Sequence, residues 1–229
     1  MKKSDMSVPI DVDWRCLNGP HSVFADKQGS ARVHKDGYGY YGAISECSEK
    51  AYLDLASIVK PGRMVLVLGE EDYIECPEWK RLTRFPGHGM VLETPTNAPD
   101  LDYVKLSPSN AAEMVELSGK AGMSFFPGAV EMGNFYGVKK NGNIVSMAGE
   151  GMTFDGFTEV ADVRTHPDFR KRGYGGGLTQ VVSQSIQEKG DTAFPRVRAE
   201  NAGAIRLYEK LGFKIIFTGH YDILVRTEL

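Results

Sequence analysis

Between a stretch that reads as a strand and a long helical pattern lies Arg170-Lys171-Arg172-Gly173-Tyr174-Gly175-Gly176-Gly177-Leu178, three cations running directly into four glycines. Glycine lets a backbone take positive φ, or lets another molecule approach its amides closely. A helix that opens on such a run presents unpaired N–H groups and partial positive charge. Strand, glycine turn and helix N-terminus together form a cradle for phosphate, which calls for an α/β arrangement.

Two common phosphate loops do not fit. A Walker loop needs Lys and then Ser or Thr after its last glycine, where this chain has Leu178-Thr179. A dinucleotide fingerprint opening at Gly173 and Gly175 needs a third glycine where Leu178 stands. The run does match Arg/Gln-x-x-Gly-x-Gly/Ala, as Arg170-x-x-Gly173-x-Gly175. Upstream, residues Phe157 to Phe169 lead into Val163-x-x-His166-Pro167-x-Phe169-Arg170. Downstream, Asn201-x-x-Ala204-x-x-Leu207-Tyr208-x-x-Leu211-Gly212-Phe213 completes an ordered set of three motifs.

In these motifs the second half of the chain resembles the GNAT N-acetyltransferases, and most nearly the branch that includes glycine N-acyltransferase-like proteins. The resemblance implies a mixed, mostly antiparallel sheet flanked by helices, in the α/β (α+β) class. It implies acetyl-CoA as acyl-donor substrate and no metal. Backbone groups of Val163, Arg164 and Thr165 would pair with the pantetheine arm like an added strand. Amides of Arg172, Gly173, Tyr174, Gly175 and Gly176 would hold the pyrophosphate, with charge from Arg170 or Lys171. Asn201 would contact CoA as well as cap its helix. Glu159 stands where several relatives carry a general base, and Tyr208 where a tyrosine protonates the departing thiolate. The plainer alternatives are a strand residue for Glu159, a core tyrosine for Tyr208 and a simple cap for Asn201. Nothing in the residues identifies the acceptor: a small-molecule amine, a peptide N-terminus or a lysine all suit. A catalytically silent CoA-binding regulatory protein is the alternative to an enzyme.

At 229 residues the chain can bury one large core or two small ones. A boundary is expected in the proline-bearing stretch Thr94 to Asp100, giving an N-terminal α/β domain over 1–98 and the acetyltransferase domain over 99–229. The N-terminal part carries no catalytic motif; it reads as a separate unit covering one side of the acceptor cleft, with a degenerate copy of the same fold as one option. The net charge of −3 argues against a nucleic-acid binder, while residues 164–172 set four cations against one carboxylate at the loop. No apolar run approaches the roughly 18 residues that span a bilayer. The N-terminus lacks the apolar core of a secretory signal, so a cytoplasmic location without membrane association is expected. Cys16, Cys47 and Cys76 suggest neither a zinc site nor a disulfide framework. A homodimer is left open.

Local patterns supply further elements. Residues 31–44 read as a hairpin around Asp36-Gly37, Ser48 caps a helix that stops at Pro61-Gly62, and Met64 to Leu68 is a buried strand. Asn141-Gly142 joins the clearest hairpin. A helix follows Ser107-Pro108-Ser109, and Phe125-Phe126-Pro127-Gly128 is an irregular stretch where the family contacts substrate. The long helix spans Gly173 to Lys189, one strand covers Thr192 to Ala199, and one or two strands close the chain after Gly212. Tyr38, Tyr40, Tyr41 and Trp79 are expected chiefly in the core, and His34 and His88 as surface or hydrogen-bonded residues.

Overall fold

A computed structural model describes residues 10–69, 73–94, 99–122 and 124–228. Residues 1–9 and positions 95–98, within the expected linker, lie outside the described residues. Helix α1 (Val12–Asn18) seats Val12, Cys16 and Leu17 in the interior. Strands β1 (Ala25–Gln28), β2 (Ala31–His34) and β3 (Tyr41–Ile44) pair antiparallel in succession. The Ser48 hydroxyl accepts the Ala51 amide at 3.2 Å and so caps α2 (Glu49–Ile58), whose buried face packs on this sheet. Strands β4 (Met64–Gly69) and β5 (Trp79–Leu92) complete the N-terminal half. Helix α1 and strands β1 and β5 have no counterpart in the sequence reading.

The second half opens with β6 (Val104–Leu106), a 3-10 turn over Pro108–Asn110, α3 (Ala111–Lys120) and the short α4 (Ala129–Met132). Between β7 (Phe135–Lys140) and β8 (Asn143–Phe154), Asn141 and Gly142 take φ of 53° and 84°, the left-handed pair that a type I′ turn requires. After β9 (Phe157–Thr165) comes α5 (Tyr174–Glu188), which buries Leu178, Val182 and Ile186 completely against the sheet. Each such side chain contributes about 1.5–3 kcal/mol of burial. Then follow β10 (Thr192–Phe194), β11 (Arg196–Arg198), α6 (Ala202–Lys210) and a single closing strand, β12 (Phe213–Arg226).

Two sheets result, ordered β1-β2-β3-β4-β12-β5-β11 and β10-β9-β8-β7-β6. The architecture is the mixed, mostly antiparallel α/β fold expected, but its connections differ from the local reading in two places. The segment from Thr192 to Ala199 is divided. Phe194 pairs parallel with Glu159 of β9, whereas Arg196 pairs antiparallel with Gly89 of β5, so the chain changes sheets at Pro195. Proline lacks the amide that a continuous ladder would use there. The second difference is that β12 lies between β4 and β5 and pairs with both. One sheet therefore runs across the expected boundary at residue 98, and Met90 and Leu92 share a core with Leu178 and Phe213. The second span supplies β11 and β12 to the sheet of the first, so the two spans fold together.

Candidate active site

The end of β9 and the start of α5 form the phosphate cradle. His166 accepts the Asp168 amide on Nδ1 at 3.2 Å, which opens a 3-10 turn over Pro167–Phe169. Lys171 then takes φ of 60° and Gly173 φ of 84°, and two left-handed residues turn the chain into the helix. No side chain caps α5, and its first backbone bond runs from the Gly177 amide to the Gly173 carbonyl at 2.9 Å. The amides of Tyr174, Gly175 and Gly176 before it are left for a ligand. Close packing dictates another glycine: a Cβ on Gly177 would stand 2.8 Å from Leu101. Arg170 donates to the Thr165 carbonyl at 3.3 Å, and Arg172 donates to the Asp168 carbonyl while lying over the Phe169 ring at 5.0 Å. Among the described residues none of Arg170, Lys171 and Arg172 pairs with a carboxylate, so the cradle keeps its positive charge.

Beside the cradle the sheets part. β10 stops at Phe194, opposite Glu159, and β11 leaves for the other sheet, so among the described residues no strand covers the outer edge of β9 from Val160 to Thr165. An extended chain entering there would run along the open edge beside Val163, Arg164 and Thr165, whose carbonyls accept the Arg164 guanidinium, the Ser146 hydroxyl and the Arg170 guanidinium. The gap opens into a cleft of about 820 Å³. It is lined by residues of β9, β11 and α6 together with Tyr38, Tyr40, Tyr41, Phe85 and Phe126. Phe126 packs edge-on to Tyr40 at 5.4 Å, and Gly128 donates to the Gly37 carbonyl at 2.9 Å, which ties the irregular stretch to the N-terminal half.

Of the residues expected from sequence, Glu159, Val163, Arg164, Asn201 and Tyr208 line the cleft. Thr165 and Arg170 to Gly176 lie past its end, around the N-terminus of α5. Asn201 caps α6 by accepting the Ala204 amide at 3.1 Å. Tyr208 is buried, and that burial pushes its hydroxyl up to about 12, with Arg164 pulling the other way. It stays a proton donor at neutral pH, and its hydroxyl has no protein partner among the described residues.

Glu159 sits differently from a free carboxylate. Arg196 donates Nε to its Oε1 at 2.9 Å and Nη2 to its Oε2 at 3.1 Å, and the Met152 amide reaches Oε2 at 3.3 Å. Arg196 also donates to Asp13 of α1 at 2.6 Å and lies over the Tyr41 ring at 4.7 Å. Burial would lower the guanidinium's proton affinity, but Asp13 and Glu159 outweigh it and hold Arg196 charged. All three side chains are buried.

The sequence reading missed this network, and it offers Asp162 only after Glu159, with His220, as a candidate base. Between the pairs Gly149–Ala161 and Met147–Arg164, Asp162 and Val163 together face Ala148, a β-bulge in β9. Asp162 takes φ of 52° there, and burial raises its carboxyl, opposed by Arg164. A bulge has no sequence signature unless glycine marks it. Tyr38, Tyr40 and Tyr41 line the cleft rather than only filling the core, while Trp79 is core and donates to the Tyr52 carbonyl at 2.9 Å. His88 bonds Thr218 at 2.8 Å as expected, but His34 is buried at the cleft wall with neither ring nitrogen hydrogen-bonded. Among the described residues no cluster fits a metal ion, and no helix is long and apolar enough to cross a membrane.

Comparison with known proteins finds similar sequences and folds. Residues 135–221 match the family described as FR47-like protein. The ribosomal protein bS18-alanine N-acetyltransferase of Escherichia coli K12 is 33% identical over 75 residues, 32% of this chain and 50% of the relative. The chain thus spans about half the length of the curated relatives it matches. A crystal structure described as a GNAT-family acetyltransferase from Novosphingobium aromaticivorans is 28% identical, with a TM-score of 0.87 over 95% of this chain and 98% of that one. A GCN5-related N-acetyltransferase from Kribbella flavida shares the fold, with a TM-score of 0.64 at 16% identity over 96% of both chains.

Proposed function

We propose that the chain, which is similar to GNAT-family acetyltransferases in fold and motif, transfers an acetyl group from acetyl-CoA to a primary amine. The observation that carries the reading is the open edge of β9 running toward the N-terminus of α5, which among the described residues no side chain caps. Val163, Arg164 and Thr165 offer an open strand edge, and three residues of the α5 N-terminus offer free amides just beyond it. A pyrophosphate on those amides and a pantetheine arm along that edge would bring the thioester into the cleft, toward Tyr208. Arg170 and Lys171 add charge at the phosphate end, and Asn201 borders the arm from α6.

Direct transfer needs the acceptor's proton removed, the carbonyl oxyanion stabilised and the thiolate protonated. The Tyr208 hydroxyl suits the last role. Glu159 is the base that the family pattern assigns, and its carboxylate borders the cleft although Arg196 engages both oxygens. The acceptor is a small-molecule or peptide amine. The named curated relatives act on a ribosomal-protein alanine, whereas the likeness to glycine N-acyltransferase-like proteins rests on the three ordered motifs between Phe157 and Phe213 and on the N-terminal half.

Calorimetric titration of the full chain with acetyl-CoA, followed by thiol release across a panel of primary amines, tests the proposal. Binding with amine-dependent CoA release is expected. Binding without release supports a silent CoA-binding protein instead, and absence of binding removes both.

A further inference from the structure

We infer that Asp162 is the group that seats the acceptor's ammonium and takes its proton, an inference that rests on the acetyltransferase reading of the same cleft. Three features of the chain converge on it. The first is backbone placement. Asp162 occupies the bulge in β9 with φ of 52°, a conformation that costs a side-chain-bearing residue energy and gathers at functional sites. The bulge lies on the unpaired stretch of β9, beside the positions offered to the thioester arm.

The second feature is its free oxygen. Arg164 donates Nη2 to Asp162 Oδ1 at 2.9 Å, and the other oxygen accepts no hydrogen bond among the described residues. The side chain is 23% exposed, and it borders the cleft. Glu159 is engaged at both oxygens by Arg196 and has no equivalent vacancy for a second cation. The third is its company. The groups near enough to shift its charge balance are Arg164 and Glu159 on its own strand, and it in turn acts on Tyr40 from the segment before β3 and on Tyr208 from α6. Base and acid thus border one cleft, where the acceptor nitrogen and thioester sulfur must meet. Burial keeps Asp162 more basic than an exposed aspartate, which suits brief possession of a proton.

The step balances as follows. One N–H bond of the ammonium breaks, and its proton passes to Asp162 and on to solvent. The amine lone pair forms the C–N bond, and collapse of the tetrahedral intermediate breaks C–S. The thiolate takes the phenolic proton of Tyr208, and the proton still on nitrogen replaces it. One proton is released to solvent for each amide formed.

The test compares Asp162→Asn, Asp162→Gly and Glu159→Gln with the unaltered chain, using acetyl-CoA with the fastest amine from a panel of 2-phenylethylamine, putrescine, glycinamide and an alanine-terminated peptide. Hydroxylamine, neutral at assay pH, is the second acceptor. Asparagine and glycine both accept left-handed φ, so melting and acetyl-CoA affinity should be unchanged in the Asp162 variants. Roughly 10²-fold to 10⁴-fold loss with the alkylamine is expected, with its acidic limb moved toward the free amine's own pKa. The loss with hydroxylamine should be under about 10-fold, since that nucleophile needs no deprotonation before attack. Turnover and pH profile equal to the unaltered chain overturn the assignment of Asp162 alone. Equal loss with both acceptors also overturns it, by making the residue structural. Acetyl-CoA binding with no turnover of any amine overturns the acetyl-transfer reading and this inference with it.

Discussion

Arg196 on β11 holds both carboxylate oxygens of Glu159 on β9, at 2.9 and 3.1 Å. Those strands belong to different sheets, and the pair bridges them where they diverge. Asp13 of α1 completes the bridge at 2.6 Å. Glu159 and Arg196 line the cleft, and with two carboxylates against one guanidinium, removing Arg196 would leave both carboxylates buried and uncompensated.

Arg196→Met is therefore expected to destabilise the chain by roughly 3–5 kcal/mol, and Glu159→Gln by about 1.5–3 kcal/mol through the weakened charge-assisted hydrogen bonds to Arg196. For a chain of this size the larger loss lowers the melting temperature by on the order of 10 °C. Thermal unfolding measured by circular dichroism checks this. A Glu159→Gln protein that melts like the unaltered chain yet loses activity would instead assign Glu159 to proton removal.

Gly173→Val is expected to weaken acetyl-CoA binding by at least about 10-fold, roughly 1.4 kcal/mol. Gly173 has open space where a Cβ would go, so the penalty comes from φ of 84°, which a β-branched residue resists. Relaxing that turn re-aims the amides of α5. Arg170→Ala should cost about 1–3 kcal/mol of binding, the range for a charge-assisted hydrogen bond. Calorimetry on both variants measures the two effects separately.

Much of this cradle is legible in the sequence because its parts are adjacent: strand, turn and helix follow one another from Phe157 to Glu188, and glycines mark the bends. The Asn141-Gly142 hairpin is legible for the same reason. What escapes local reading is pairing at long range. β12 reads as a closing strand, but nothing in Phe213 to Arg226 says that it enters between β4 and β5. Likewise, only the assembled fold brings Asp13 to Arg196. The division at Pro195 has a local cue, since proline interrupts a ladder, but the destination of β11 does not.

His34 should make stability depend on pH. Burial lowers its pKa from 6.5 to about 3, helped by the charges of His21, Arg196 and Arg63. The unfolded chain binds a proton near 6.5 that the folded ring refuses. The stability His34 contributes is present above that value and is lost as pH falls toward 3. At pH 5 the loss is about 2 kcal/mol, from 1.36 kcal/mol per pK unit. Urea unfolding at pH 7.5 and pH 5 should show a smaller difference in His34→Gln than in the unaltered chain. An identical difference would contradict the buried, neutral state.

Tyr208→Phe should lower the transfer rate by roughly 10²-fold to 10⁴-fold while leaving the acidic limb in place. Tyr208 is held up to about 12, so it donates a proton throughout the working range and loses that ability only in strong base. A pH–rate profile checks this. A shifted acidic limb in Tyr208→Phe would give the tyrosine the base's role.

The most direct measurement of the central claim uses the full chain, radiolabelled acetyl-CoA and the amine panel, and counts label recovered as amide. The account predicts amide formation equal to the CoA released, abolished or greatly slowed in Tyr208→Phe. CoA released with the label recovered only as acetate would contradict transfer to an amine, and unchanged acetyl-CoA with every amine would contradict an acetyltransferase altogether.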